Sequence, residues 1–244
     1  MPLVQIADGV WRCGTPFVNW YLVVDDGAVT VVDAGLPHYR PQLDEALRVA
    51  GRSIADVAAI VLTHADGDHT GFAEAVRAQT GAPVYVHAAA AEQARTAGRK
   101  KTESSLLPYL RHGATWGLLA HFARNGLPQK ISDVTTYADG AELDVPGRPR
   151  AIETPGHAHG HCALHFAGAG ALLVGDAMCS RDPLTGAGGP RLMPRALNIS
   201  GAQAYGSLAR LETVEAAVTG FGHGDPWRDT PAAAVAAARA APGS

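Results

Sequence analysis

The stretch Val57-Ala-Ala-Ile-Val-Leu-Thr63 runs without a break into His64-Ala-Asp66-Gly-Asp68-His69, and its reading decides the fold. An uninterrupted apolar run of this length reads as a β-strand buried on both faces. It delivers two imidazoles and two carboxylates to the loop that follows, and loops at strand ends are where α/β proteins place their chemistry. This donor set suits zinc, iron or manganese, and its carboxylates argue against a cysteine-based structural zinc site. Beyond the loop, Thr70 is expected to cap a helix over about 71–80, with Gly81 as its stop signal.

Outward from this segment, strands and helices alternate. On the N-terminal side, Trp20-Tyr-Leu-Val-Val24 and Val29-Thr-Val-Val-Asp33 flank Asp25-Asp26-Gly27 and read as a hairpin, with a helix following at about 40–50. On the C-terminal side come a short strand, Val84-Tyr-Val-His87, and an alanine-rich helix. Three further short strands are read at Arg150-Ala-Ile-Glu-Thr154, Ala163-Leu-His-Phe166 and Ala171-Leu-Leu-Val174. Val31-Val-Asp33-Ala and Val174-Gly-Asp176-Ala share a strand–Asp–small ending, which points to an internal duplication. A helix is expected at about 201–217, and a last one starts at Thr230-Pro231 with proline at the first helical position. No linker-like break interrupts the pattern, so residues 1–244 read as one α/β domain.

Two segments differ in texture. Residues 100–128 are largely apolar but interrupted by glycine, and read either as a helical insertion covering a cleft or as an ordinary buried helix pair. Tyr109, Trp116 and Phe122 within it are candidate substrate-pocket residues. Residues 180–200, rich in Gly, Pro and Arg, read as a long loop of the kind that carries function.

Composition narrows the classes. The 244 residues carry a formal net charge of −3 with no basic stripe, which gives no support to a nucleic-acid partner. Arg99-Lys100-Lys101 is the one cationic run, and a solvated helix face accounts for it. Cys13, Cys162 and Cys179 are too few and too far apart for a disulfide framework. No uncharged apolar run reaches the roughly 20 residues of a membrane helix, and no signal peptide is read at the N-terminus. The expected setting is the cytoplasm, with a small molecule as substrate; the oligomeric state is not legible.

Three later elements extend the His/Asp segment: Thr154-Pro-Gly-His157, Leu173-Val-Gly-Asp176 and Phe221-Gly-His223-Gly. Each alone is commonplace; in this order they resemble the metallo-β-lactamase fold superfamily, whose signature runs H-x-H-x-D-H, a His in P-G-H, a bridging Asp and a late G-H. The match runs from about 31 to 224. The resemblance implies an αβ/βα sandwich of four layers, with two mixed β-sheets inside, helices on the outer faces and a metal cleft at one edge. It implies that His64, Asp66 and His157 hold one metal, that Asp68, His69 and His223 hold a second, and that Asp176 bridges them. Asp33 would hold a ligand histidine in place, and His161 would stand behind the ligands. The implied activity is dinuclear hydrolysis of a lactone, ester, thioester or β-lactam, in which a metal-bound hydroxide attacks the carbonyl and Asp68 and Asp176 are the catalytic carboxylates. A non-haem iron oxidoreductase on the same fold is the alternative.

One departure stands out. The family usually has histidine where this chain has Asp66. The extra carboxylate makes the liganded site less positive, hence a weaker Lewis acid, and shifts preference toward iron or manganese while zinc remains the first expectation. Cys179 stands three residues after Asp176, where some lactonases of the family place a tyrosine; this makes it a further pocket candidate and weakens the lactonase subtype. Among the other histidines, His159 is expected to face solvent, His87 to cap a strand end, and His112 and His121 to lie at the surface.

Overall fold

Side-chain alternation builds a first sheet from β1 (Val4–Ala7), β2 (Val10–Gly14), β3 (Asn19–Asp25), β4 (Ala28–Val32), β5 (Val57–Val61), β6 (Val84–His87) and β7 (Thr135–Tyr137), adjacent in that order. The computed structural model describes residues 3–127 and 129–242; the extreme ends of the expected 1–244 domain and residue 128, the last of the expected insertion, lie outside the described residues. The pairing is antiparallel from β1 to β4 and parallel from β4 to β7. The β3–β4 hairpin turns through Asp26 and Gly27, both at positive φ, as a tight two-residue turn requires.

The second sheet joins β8 (Arg150–Glu153), β9 (Cys162–Phe166) and β10 (Ala171–Leu173) to a later strand. A short two-stranded ribbon of β11 (Cys179–Arg181) and β12 (Gly188–Arg191) then interrupts the chain. The fourth strand of the sheet, β13 (Val218–Gly220), lies parallel beside β10. Both sheets are therefore mixed. β4 and β10, which carry the two strand–Asp endings, share one local arrangement: an antiparallel neighbour before each in the chain and a parallel neighbour after it.

The helices are α1 (Arg40–Val49), α2 (Gly67–Thr70), α3 (Ala73–Thr80), α4 (Ala91–Thr96), α5 (Gly113–Arg124), α6 (Gly201–Ser207) and α7 (Pro231–Ala240). Three buried layers show how they stack. Tyr21, Val32, Val61, Leu164 and Leu173 meet between the sheets. Leu22, Ile60 and Leu62 turn to the other side and pack on Leu43, Leu47 and Val76 of α1 and α3. Leu172, Val174 and Phe221 pack on Ala204 of α6 and Val235 of α7. Strand β5 is thus buried on both faces, as its apolar run predicts. Each fully buried Leu, Ile or Phe contributes roughly 2 kcal/mol, so the continuous β5 run fixes the centre of the sandwich.

Local signals met their structures unevenly. Gly81 ends α3 in the left-handed conformation, and the Thr230 hydroxyl accepts from Ala233 N–H at the start of α7. Thr70 does not cap α3; it ends α2, and its hydroxyl donates to the Asp66 carbonyl. The helix expected over 201–217 stops at Ser207 before a single 3-10 turn. The expected 180–200 loop contains the β11–β12 ribbon. Among the described residues, no helix is long and apolar enough to cross a membrane.

Candidate metal centre

All seven candidate ligands converge at one edge of the sandwich. β5 ends at Val61, so His64 emerges at its C-terminal edge. Asp66 takes an extended conformation ahead of α2, and that single turn presents Asp68 and His69. His157 sits on a turn docked to the start of α6 through Ser200 N–H to Gly156 O, 2.9 Å. Asp176 follows β10. The His223 turn is held by the first sheet: Asn19 Nδ2 and Tyr21 Oη both donate to Phe221 O, at 2.9 and 2.7 Å.

The four histidines are aimed the same way. Each has its Nδ1–H committed to an acceptor: His69 to Asp33 Oδ2 at 2.8 Å, His157 to Asn198 Oδ1 at 3.0 Å, His64 to Thr63 Oγ1 at 3.0 Å, and His223 to the Phe17 carbonyl. Each Nε2 lone pair is therefore left facing the carboxylates. Asp176 Oδ2 lies 3.3 Å from His157 Nε2 and 3.2 Å from His223 Nε2, so it spans the two groups. Asp66 Oδ2 is 3.2 Å from His157 Nε2, and Asp68 Oδ2 is 3.6 Å from His223 Nε2.

The residues fit a bound metal. His64 Nε2, His69 Nε2 and Asp176 Oδ1 are buried with no hydrogen-bond partner, an arrangement that costs stability unless a cation occupies the space between them. His64, Asp66 and His157 form one cluster with ligand-range spacing, Asp68, His69 and His223 another, and His64, His69 and Asp176 join them. Charge agrees. Burial works against protonation of His69, yet the Asp33, Asp176 and Asp68 carboxylates override it and raise its proton affinity well above the usual range. The same field attracts a metal ion. His64 responds in the opposite sense, driven down by burial and by His69.

The supporting residues are placed by the same contacts. Asp33, in the left-handed region at φ 57°, accepts from Thr63 N–H at 2.8 Å as well as from Thr63 Oγ1 and His69. It thereby holds His69 directly and His64 through Thr63. Asp33→Asn is expected to weaken metal binding about 10- to 100-fold with the fold retained, read by competition with a chromogenic chelator; unchanged affinity would deny Asp33 that role. His161 points away from the ligand space. Its Nδ1–H bonds to Thr154 Oγ1 at 2.8 Å and its Nε2 accepts from Asp176 N–H at 3.0 Å. Burial, then the charge of His157, pushes its pKa down to about 3, which keeps it neutral.

Above the ligands opens a cavity of about 580 Å³. Its walls include Leu36, Leu118, Phe122, Leu127, Met193 and Leu197, and Asp66, Asp68, His157, Asp176 and His223 line it. Of the four expected pocket residues, only Phe122 lines it. The other three are corrected. Tyr109 packs in a satellite cluster with Leu184 and Ala196. Trp116 is 58% exposed on the outer side of α5, with its indole N–H bonded to Leu110 O. Cys179 is fully buried behind the site. The reading of Lys100 as part of a solvated helix face also fails: residues 98–102 are not helical, and its ammonium contacts Asp66 Oδ2 and lies 2.8 Å from His157 Nε2. Sequence reasoning also missed Gln93, which donates to Asp66 Oδ1 at 2.9 Å, and Asn198. His159 is exposed, and His87 caps the turn after β6, both as expected.

Comparison with known proteins agrees with this geometry. Residues 13–223 match the family model described as the metallo-beta-lactamase superfamily. The chain is 28% identical over 236 residues to "Probable metallo-hydrolase YqjP" of Bacillus subtilis, covering 88% of this chain and 70% of that one. A metallo-beta-lactamase family protein of Thermus thermophilus, TTHA1429, superposes with a TM-score of 0.69 at 26% identity, over 95% of this chain and 78% of its own. A B3 metallo-beta-lactamase described as having an active-site glutamic acid superposes at 0.71 and 19% identity, over 98% and 88% of the two chains, a likeness of fold. This chain belongs to the metallo-beta-lactamase superfamily. It is a metal-dependent hydrolase by family and by ligand set.

Proposed function

We propose that the chain is a dinuclear hydrolase of small carbonyl substrates bearing an apolar arm: a lactone, ester, thioester or β-lactam. One observation carries the reading. Four histidines, each with Nδ1 pinned and Nε2 turned inward, and three carboxylates face a single space at the floor of a cavity. His64, Asp66 and His157 would hold one ion, Asp68, His69 and His223 the other, and Asp176 both. When bound, two divalent ions supply Lewis acidity to a carbonyl oxygen and lower the pKa of water, to about 7 in zinc sites.

The chain's own residues do the rest. Asp68 lines the cavity with its side chain 14% exposed, where its carboxylate can take a proton from the attacking water and return it to the leaving group. The Leu118, Phe122 and Leu127 wall, from the segment over the cleft, holds the apolar arm and excludes bulk water. The cavity is of small-molecule size. Zinc is the first candidate; Asp66 adds a hard oxygen donor that suits iron or manganese as well. Three unpaired buried cysteines fit a reducing compartment such as the cytoplasm.

The test is a panel of lactones, esters, thioesters and β-lactams of increasing acyl length, assayed on stripped protein reloaded with zinc, manganese or iron. Hydrolysis of at least one class, lost on chelation and restored by metal, is the expected result. Inactivity of every metal-loaded form, or activity indifferent to chelation, contradicts the reading.

A further inference from the structure

Lys100 enters the metal centre from the cavity side with its side chain only 9% exposed. Its ammonium contacts Asp66 Oδ2 and lies 2.8 Å from His157 Nε2. Asp66 Oδ1 is engaged as well, by the Gln93 amide at 2.9 Å. The half-site of His64, Asp66 and His157 therefore already contains a cation belonging to the chain. The other half-site holds no lysine or arginine. Among the described residues, the ion-pair partners of Asp68 and Asp176 are histidines only.

We propose that Lys100 is a resident counter-ion that competes with metal for the first half-site. The Asp68, His69 and His223 half then fills first, and the His64, Asp66 and His157 half fills only as Lys100 withdraws into the cavity. This deepens the dinuclear reading above and rests on it. Formal charge favours it: one divalent ion together with the ammonium balances the three carboxylates Asp66, Asp68 and Asp176. A second divalent ion beside a Lys100 still in place leaves the buried site two charges in excess, and like charges a few ångströms apart in a partly dry site repel strongly. Lysine suits such a part, because its point charge rides on a flexible four-carbon stem and can swing clear. Lys100 lines the open cavity, so there is room for the withdrawal. The carboxylate at position 66 is then matched to the lysine as much as to the metal.

The test is zinc titration of the chelator-stripped full chain, by calorimetry and by competition with a metallochromic chelator. The unmodified chain is expected to bind one ion tightly and a second at least about tenfold more weakly. Lys100→Met keeps the bulk of the stem and removes the charge. It is expected to strengthen the second site by about tenfold or more while the first constant moves less than about twofold. Lys100→Arg retains the gap, and Lys100→Gln replaces the Met variant should that one fail to fold. Two equal constants in the unmodified chain, or a second constant unmoved by loss of the charge, overturn the proposal and leave the hydrolase reading standing. A chain that binds no zinc in any form overturns both.

Discussion

Asp176→Asn is expected to lower turnover of the metal-loaded protein on the order of 100- to 1,000-fold, with metal content falling in parallel and the fold intact. The substitution is nearly isosteric, so packing changes little. What changes is the one carboxylate that reaches both halves of the site, 3.3 Å from His157 Nε2, 3.2 Å from His223 Nε2 and, through Oδ1, 3.6 Å from His69 Nε2. Burial works against its charge, but His223 and His69 override burial and hold its carboxyl well below the usual range, so it is an anion in the folded chain. An amide there loses the charge and turns an N–H toward ring nitrogens that need a cation. Steady-state kinetics with metal analysis on the same sample measures both effects. Full activity in Asp176→Asn would remove Asp176 from its shared position in the mechanism.

Gly222→Ala is expected to be nearly as damaging although it replaces no ligand. A Cβ at this position would stand 2.0 Å from Asp176 Oδ1 and 2.8 Å from His69 Cε1. Neither neighbour can yield freely, since His69 is tied to Asp33 and Asp176 is bonded to His223. A displacement of about 1 Å in a reacting geometry costs roughly 100-fold in rate, and overpacking at a buried site costs about 1–3 kcal/mol in stability. Gly206→Ala on α6 is the control, because nothing lies within 4 Å of its added methyl group. Thermal unfolding and metal binding of the two variants should diverge. Equal behaviour would mean that the crowding at Gly222 relaxes harmlessly.

Gly222 also shows what the sequence conceals. Phe221-Gly-His223-Gly suggests a bendable backbone that aims the ring. Gly224 does take φ 95°, but Gly222 is required for space beside Asp176 rather than for bending. The ligands were legible because a buried strand running into His64–His69 is a local pattern, and because three later strand ends repeat the device in chain order. The four layers followed from that resemblance and from the alternation of strands and helices. Lys100 was not legible. Its neighbours Arg99 and Lys101 are exposed, and only the approach of residues 97–102 to the cavity turns the middle residue inward. Asn198 and Gln93 were hidden for the same reason, since they meet their partners across 41 and 27 residues. Among the pocket candidates, Trp116 failed on helical phase. Leu118 and Phe122, four apart on α5, face the cleft, while Trp116 and Leu119 face outward.

In the proposed dinuclear centre, seven side chains would hold two ions against one cavity. Anomalous scattering from crystals grown with excess zinc, recorded on either side of the zinc edge, tests it most directly. Two peaks are predicted, one among His64, Asp66 and His157 and one among Asp68, His69 and His223, with Asp176 touching both. Zinc bound elsewhere, or no peak among these residues, would contradict the account.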